Sequence, residues 1–178
     1  MTVDQHKSPI HVIVTGGTID SVYNTPLQKM RPASETILPY YLEKVVQLYP
    51  EISFETVCMM DSGDMSDATR QKIAEAVMRT HSERVLISHG TDTMVETARF
   101  LERTFGEHSA KTVILTGAMV PLKELVLSDA GFNLGYALSQ LSVLSPGVYI
   151  CMNGRTFEPE KVVKNTAIAR FEDKSDPL

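Results

Sequence analysis

The chain has 178 residues, which is enough for one domain with a hydrophobic core of its own. Hydrophobic residues make up 43% and charged residues 22%, which is the composition of a folded globular protein and excludes a disordered or fibrous chain. The formal net charge is -5 and no basic run occurs, so neither nucleic acid nor an anionic membrane surface is an expected partner.

Five short runs of apolar residues predict β-strands. They are rich in β-branched and aromatic residues, which favour strands over helices. The runs cover residues 10–15, 52–59, 84–88, 112–116 and 148–152.

Segments with apolar residues at helical spacing separate these strands and predict four helices, over residues 35–48, 66–78, 93–104 and 128–141. In the first, Ser34 is a candidate cap, but Pro39 predicts that the regular helix begins only near that proline. In the second, Ser66 caps the first turn, Asp67 favours its positive end, and Ile73, Ala76 and Val77 form an apolar stripe.

The alternation of strands and helices predicts a three-layer α/β fold, in which an open and mostly parallel sheet carries helices on both faces. The segment from Asn153 to Phe171 breaks this alternation, because it combines turn residues with short β-type runs. It predicts a C-terminal β-hairpin or arm. No internal repeat or interdomain linker is visible, so we expect residues 1–178 to form a single domain.

Cys58 and Cys151 each lie inside a strand-like apolar run, which predicts buried and reduced thiols. The five histidines are scattered, so no metal site is expected. The N-terminal residues lack a secretory pattern, and no apolar run approaches the roughly 20 residues of a membrane helix. We therefore expect a cytoplasmic protein.

The loops that follow four of the strands combine glycine with hydroxyl or acidic residues. They read "VTGGTID", "MMDSGDMSD", "ISHGTDT" and "LTGAM", and the first three carry Thr18, Ser62, Asp64, Thr91 and Asp92. In open parallel sheets, ligands bind beyond the carboxyl ends of the strands. These loops therefore predict a hydroxyl-rich pocket that contains a carboxylate.

Each loop taken alone has a simpler interpretation, because Ser, Thr and Asp also cap helices and glycine relieves tight turns. A phosphate loop is disfavoured, since "GGT" lacks the lysine of a P-loop and the spacing of a dinucleotide-binding turn. A receiver-type phosphoacceptor is also disfavoured, because the third strand ends in Ser88 and not in an aspartate.

Six motifs in a fixed order carry a resemblance to a known family. They are "TGGTI" at 15–19, "DSGDM" at 61–65, "SHGTDTMVETA" at 88–98, "TGAMVP" at 116–121, "SDAGFNL" at 128–134 and "VVKNT" at 162–166. In this order they resemble the signature of the bacterial-type L-asparaginases, over nearly the whole N-terminal domain of that family. Members with two domains have a further domain of similar size, so this chain is similar to a short-chain form.

The resemblance implies an amidohydrolase that converts L-asparagine to L-aspartate and ammonia through an acyl-enzyme. Thr18 matches the nucleophile, and Tyr23 matches a tyrosine carried by the flexible lid at residues 19–33. Thr91, Asp92 and Lys164 match a second catalytic cluster. A threonine hydroxyl needs a base or a proton relay at neutral pH. Lys164 with a lowered pKa and Tyr23 are both candidates for that base.

The same resemblance implies a substrate pocket around Gly17, Ser62, Gly63, Gly90 and the Thr91–Asp92 pair. Ser62 would hold the α-carboxylate of the substrate and Asp92 its α-ammonium, while backbone N–H groups at the glycine turn before Thr91 would stabilise the oxyanion. No cofactor is implied.

Two departures from the family pattern predict weak substrate binding. The second domain usually supplies an acidic residue to a neighbouring subunit, and Gly63 stands where many members have glutamine. If each missing hydrogen bond costs roughly 1 to 2 kcal/mol, affinity falls by about one to three orders of magnitude. We expect glutamine to be a poor substrate, and we expect a homodimer or higher oligomer in which a second copy orders the lid.

Two other functions remain open at this point. A catalytically silent amino-acid sensor, or one half of a two-chain enzyme, would bind asparagine without releasing ammonia. A component of a tRNA-dependent amidotransferase is disfavoured by the small size of the chain and the lack of a basic surface signal.

Overall fold

The structure is a computed structural model that describes residues 9–106, 109–124 and 126–176. Its strands in chain order are β1 (Ile10–Gly16), β2 (Ser21–Asn24), β3 (Lys29–Pro32), β4 (Ile52–Met60), β5 (Arg84–Ser88), β6 (Thr112–Thr116), β7 (Gly147–Met152), β8 (Arg155–Phe157), β9 (Val162–Asn165) and β10 (Arg170–Asp173). The α-helices are α1 (Leu38–Tyr40), α2 (Asp67–Arg79), α3 (Met94–Phe105) and α4 (Ala130–Gln140). A π-helical turn (Tyr41–Val45) continues α1, and short 3-10 turns cover Thr18–Asp20, Ser62–Asp64 and Leu122–Glu124.

The main sheet has six strands in the order β4-β1-β5-β6-β7-β8. Neighbouring strands from β4 to β7 pair in parallel, and only β8 runs antiparallel to its neighbour. Helices cover both faces of this sheet, so the predicted three-layer α/β fold is confirmed. No helix in the described ranges is long and apolar enough to cross a membrane.

Successive residues of each central strand point to opposite faces of the sheet, which gives the protein two separate cores. On one face, Ile13 and Ile87 pack with α2 and α3. On the other, Val12, Val14 and Leu86 pack with α1 and α4. Both faces are apolar because a parallel sheet is buried on both sides.

The four predicted helices are present, and the first of them differs from its prediction in two ways. Ser66 caps α2 as expected, because its hydroxyl accepts a hydrogen bond from the Thr69 amide at 3.3 Å. The helix expected over residues 35–48 begins only at Leu38, as Pro39 indicates, and after one turn it widens into the π-helix. Apolar spacing does not distinguish an α-helix from a π-helix over so few residues, so the sequence did not reveal this turn.

The C-terminal segment forms two hairpins, where the sequence predicted one hairpin or an arm. A turn at Asn153 and Gly154, both with positive φ, leads β7 back into β8, which extends the main sheet. The second hairpin, β9–β10, lies outside that sheet. The cysteines also differ from expectation, since Cys151 is buried but Cys58 is only half-buried; both are free thiols.

Residues 19–33, expected as a flexible lid, contain a short antiparallel hairpin. Strands β2 and β3 pair with each other and with no other strand of the described residues. Asp20 anchors the base of this hairpin. Its backbone carbonyl accepts a hydrogen bond from the Ala33 amide at 2.9 Å, and its carboxylate accepts from the Thr36 hydroxyl at 2.9 Å and the Ile37 amide at 3.1 Å.

The Asp20 carboxyl is buried, and burial raises its pKa even though its hydrogen bonds from Ile37 and Thr36 and the charge of Lys123 oppose that shift. A carboxyl with a raised pKa in the folded state binds protons more tightly there than in the unfolded chain. The free energy of unfolding therefore decreases as the pH rises from the usual aspartate range through the raised pKa.

Replacing Asp20 tests this anchor. Asp20→Asn keeps an oxygen that accepts from Thr36 and Ile37 but removes the charge, so we expect its unfolding free energy to lose this decrease with pH. Asp20→Ala leaves both donors unpaired and should cost about 1 to 3 kcal/mol. Urea denaturation from pH 4 to pH 8 measures both effects, and identical pH dependence in the wild type and Asp20→Asn would contradict the assignment.

Candidate active site

Three loops of the main sheet meet at the carboxyl ends of its strands. Strand β1 lies between β4 and β5, with Val14 paired to Thr56 on one side and to Ser88 on the other. All three strands run in the same direction, so the loops that follow them emerge side by side. These loops carry Thr18, Ser62 and Thr91, whose hydroxyls the sequence predicted to share a pocket.

Glycines allow the three loops to touch. Gly17 has a φ of 80°, which favours glycine, and a Cβ atom there would lie 2.4 Å from Gly90 Cα. A Cβ atom on Gly90 would lie 2.5 Å from Ser62 Oγ. Any larger residue at either position would force the loops apart. Gly90 is therefore the point at which the loop of Thr18 and the loop of Ser62 both contact the loop of Thr91.

Thr18 begins a single 3-10 turn immediately after this contact. The residue is half-buried. Within the described ranges, neither its hydroxyl nor its amide has a hydrogen-bond partner. An unpaired hydroxyl at the carboxyl edge of the sheet is available to a bound molecule.

Thr91 and Asp92 form a cluster with Lys164, a residue 72 positions further along the chain than Asp92. The Lys164 ammonium donates hydrogen bonds to Thr91 Oγ1 at 2.8 Å and to Asp92 Oδ1 at 2.5 Å. Thr91 is buried, and the Lys164 side chain is only 16% exposed, whereas that of Asp92 is 66% exposed. The cluster therefore joins a buried hydroxyl to an exposed carboxylate through one cation.

The β9–β10 hairpin carries Lys164 and is held in place from several directions. Val162 and Phe171 are buried in the core on the side of α2 and α3. Arg99 of α3 donates to the carbonyls of Pro159 at 3.0 Å and Val162 at 3.3 Å. These contacts fix the strand on which Lys164 lies, so the ammonium stays beside Thr91.

Ser62 lies in a 3-10 turn that is tied to the start of α3. The Thr93 hydroxyl donates to the Ser62 carbonyl at 2.8 Å, and the Thr93 amide donates to Ser62 Oγ at 3.4 Å. The next residue, Gly63, is exposed, and a Cβ atom there would meet only Asp61 Oδ1, at 3.5 Å. The turn thus fixes Ser62 and leaves open space at Gly63.

Tyr23 is placed differently from the other predicted residues. It lies on β2 opposite Met30, and its side chain is 59% exposed. Among the described residues, none of its side-chain hydrogen bonds reaches Thr18. The structure therefore brings together the loops that carry Thr18, Ser62, Thr91 and Asp92 and the strand that carries Lys164. Tyr23 lies apart from them, on the exposed β2–β3 hairpin.

His89 is a further residue of this region that the sequence did not indicate. Its ring is fully buried, with Nδ1 2.7 Å from the Gly90 carbonyl and Nε2 3.2 Å from Met65 Sδ. Burial lowers the pKa of His89 to about 4, although its hydrogen bond to Gly90 opposes this; the nearby charge of Arg70 lowers it further. The imidazole is therefore neutral at physiological pH. The sequence showed that His89 lies inside the motif "SHGTDT", but a single histidine in a sequence does not reveal whether its ring is buried.

No three His, Cys, Asp or Glu side chains converge on a possible metal position in the part of the chain that the structure describes. The polar side chains that the structure brings to the strand ends include the hydroxyls of Ser62 and Thr91, the Asp92 carboxylate and the Lys164 ammonium.

Comparison with known proteins assigns this arrangement to a family. The family model for the N-terminal domain of asparaginases matches residues 9–174. The chain belongs to the asparaginase family. The resemblance noted in the sequence is thereby confirmed.

Individual relatives support the same assignment for this asparaginase domain. A probable periplasmic L-asparaginase of Haemophilus influenzae is 30% identical and aligns with 90% of this chain and 47% of its own. One component of the glutamyl-tRNA(Gln) amidotransferase from Metallosphaera sedula is 34% identical, over 70% of this chain and 29% of its own. A crystal structure of a probable cytoplasmic L-asparaginase from Campylobacter jejuni matches with a TM-score of 0.80 and 28% identity, over 95% of this chain and 54% of that one. The chain spans about half the length of these asparaginases.

The loop contact at Gly90 can be tested by adding one methyl group. Gly90→Ala places a Cβ atom 2.5 Å from Ser62 Oγ, so we expect a loss of about 1 to 3 kcal/mol of unfolding free energy. Gly135→Ala in α4 is the matched control, because nothing lies within 4 Å of its Cβ position. In a helix interior this change should stabilise by about 0.5 to 1 kcal/mol. Equal effects of the two substitutions in urea denaturation would refute a tight contact at Gly90.

Proposed function

We propose that this chain hydrolyses the side-chain amide of L-asparagine to L-aspartate and ammonia, with Thr18 as the nucleophile. The observation that carries this proposal is the Lys164–Thr91–Asp92 cluster, because Thr91 directly follows Gly90, which approaches Gly17, the residue before Thr18. Membership of the asparaginase family supports it.

In the first half of the proposed reaction, Thr18 Oγ bonds to the amide carbon and its proton passes to a base. Collapse of the tetrahedral intermediate breaks the C–N bond, and the leaving nitrogen takes up a proton and departs as ammonia. In the second half, water attacks the resulting ester and releases aspartate and the Thr18 hydroxyl. Lys164 and Tyr23 remain the two candidates for the base.

The geometry favours a proton path through Thr91. Lys164 Nζ lies 2.8 Å from Thr91 Oγ1, so a neutral Lys164 amine would take the Thr91 hydroxyl proton while Thr91 takes that of Thr18. Lys164 Nζ also contacts the Asp92 carboxylate, which helps to hold this nitrogen beside Thr91. Tyr23 lies on the exposed hairpin and has no side-chain hydrogen bond to Thr18 among the described residues.

Charge recognition explains why the substrate would be an amino-acid amide. One oxygen of Asp92 binds Lys164, and the exposed part of this carboxylate remains for an α-ammonium group. Ser62 Oγ accepts from the Thr93 amide, so its own proton is available to an α-carboxylate. These two anchors would orient the side-chain amide towards Thr18.

Ammonia release from L-asparagine over a wide concentration range tests the function. We expect saturation only at high substrate concentration and no turnover by Thr18→Ala, which loses the nucleophile. Thr104→Ala, at the exposed C-terminal end of α3, is a control that removes a threonine away from the strand ends, and it should retain activity. Asparagine binding without ammonia release by the wild type would overturn the hydrolase and support the sensor.

A component of a tRNA-dependent amidotransferase is the second candidate function, because several relatives carry that name. It predicts that ammonia release depends on a separate partner chain. Hydrolysis of free asparagine by the purified chain alone would count against it.

The open space at Gly63 predicts how substrate affinity can be raised. A Cβ atom at this exposed position meets only Asp61 Oδ1, in ordinary van der Waals contact, so we expect Gly63→Gln to fit and to add a hydrogen bond to the substrate. We expect the Michaelis constant to fall by about fivefold to tenfold, as one added hydrogen bond of about 1 to 1.5 kcal/mol would give. Gly63→Ala is the control for the backbone change, and a Michaelis constant for Gly63→Gln equal to that of Gly63→Ala would refute the added contact.

Self-association and location are also proposals. Tyr23, Leu27 and Met30 on the β2–β3 hairpin have exposed apolar side chains, which supports a homodimer or higher oligomer in which a second copy covers the hairpin.

Of the relatives, one is described as cytoplasmic and another as periplasmic, and we propose the cytoplasm as the compartment of this chain. The single-domain organisation likewise remains a prediction.

A further inference from the structure

The buried ring of His89 makes one directional contact with the loop of Thr91. Nδ1 lies 2.7 Å from the Gly90 carbonyl oxygen. A carbonyl only accepts hydrogen bonds, so Nδ1 carries the proton and donates it. The neutral ring has no second proton, and Nε2 faces the thioether of Met65. His89 is therefore committed to holding the Gly90 carbonyl.

This contact determines where the next amide points. The described peptide bonds are all trans, so the N–H of Thr91 lies on the opposite side of the peptide from the Gly90 carbonyl. The carbonyl points into the protein, towards the His89 ring. The Thr91 N–H therefore points away from the core, and no described residue accepts a hydrogen bond from it.

The His89 ring is itself held by a buried polar chain. Met65 Sδ, which contacts Nε2, also lies 3.6 Å from the Thr97 hydroxyl, and that hydroxyl accepts a hydrogen bond from Arg70 Nε at 3.2 Å. The backbone of His89 is fixed as well, because its amide donates to the Thr116 carbonyl at 2.9 Å. Since both the backbone and the ring are anchored, the Gly90–Thr91 peptide has one orientation.

We propose that His89 is a positioning residue, which orients the Gly90–Thr91 peptide so that the Thr91 amide donates to the oxyanion formed when Thr18 attacks. This inference rests on the proposed function, and it adds His89 as the residue that orients the Thr91 amide. His89 contacts neither the substrate nor Thr18. Its effect passes through the one peptide that it holds.

Two substitutions separate this role from packing. In His89→Asn the side-chain amide nitrogen occupies the position of Nδ1, so the donor to Gly90 is kept, whereas His89→Leu has no donor. Both lose the far half of the ring and leave a similar void beside Met65. Val113→Ala in β6 is the control, because it opens a void in the same core at a side chain that has no hydrogen bond to His89 or Gly90.

The steady-state constants for ammonia release give the first test. We expect His89→Leu to lower kcat by about 10-fold to 100-fold, because a misdirected oxyanion donor is lost only in the transition state. The Michaelis constant should change by less than about threefold, since Asp92 and Ser62 still bind the substrate. His89→Asn should recover most of the loss, and Val113→Ala should have a kcat near that of the wild type. A kcat of His89→Leu close to the wild-type value, or equal losses in His89→Asn and His89→Leu, would overturn the proposal.

A second measurement does not depend on turnover. The backbone ¹⁵N order parameter of Thr91 in the unliganded protein should fall in His89→Leu and return in His89→Asn. If the wild type releases no ammonia, the proposed function fails, and this measurement still decides the positioning role: an unchanged order parameter in His89→Leu refutes it. If His89→Leu does not fold, His89→Gln replaces it, because its donor lies one carbon further from the backbone and cannot occupy the Nδ1 position.

Discussion

The approach of Gly17 to Gly90 is the contact on which the candidate site depends. Strands β1 and β5 are neighbours, so the loops that follow them leave the sheet side by side. These loops can touch because glycine stands at both contact positions, Gly17 and Gly90, where a Cβ atom would clash. Thr18 follows one glycine and Thr91 follows the other. The candidate groups are thus placed by backbone packing and by the neighbouring positions of β1 and β5 in the six-stranded sheet.

The fold was largely predictable because its signals are local. Five parallel strands appear as apolar runs, and Ser66 marks the start of α2 through a capping hydrogen bond that depends on neighbouring residues alone. The β2–β3 hairpin and β8 were not predicted, since their strands have only three or four residues and mix polar with apolar positions. Short strands of this kind gain their stability from pairing partners that the sequence does not identify.

The candidate site was predictable to a different extent. The order of the motifs predicted that Thr18, Ser62, Thr91 and Lys164 belong to one site. In the structure, glycine contacts bring the three loops together, and a hairpin anchored in the core brings Lys164 to Thr91. Burial was not predictable. His89 and Asp20 have perturbed pKa values because surrounding elements exclude water from them, and that environment exists only after distant segments pack. His89 hydrogen-bonds to the Gly90 carbonyl, and Asp20 accepts from the Ile37 amide and the Thr36 hydroxyl.

The position of Lys164 in the chain has a consequence for biosynthesis. The sheet strands β1, β4 and β5, which bring Thr18, Ser62 and Thr91 together, are all made before residue 90, whereas the ammonium that binds Thr91 and Asp92 belongs to a hairpin made about 70 residues later. The residues of the hydroxyl-bearing loops are therefore synthesised well before Lys164 is added to the chain. Under the proposed chemistry, the domain becomes active only after the β9–β10 hairpin has been made and has docked beside Thr91.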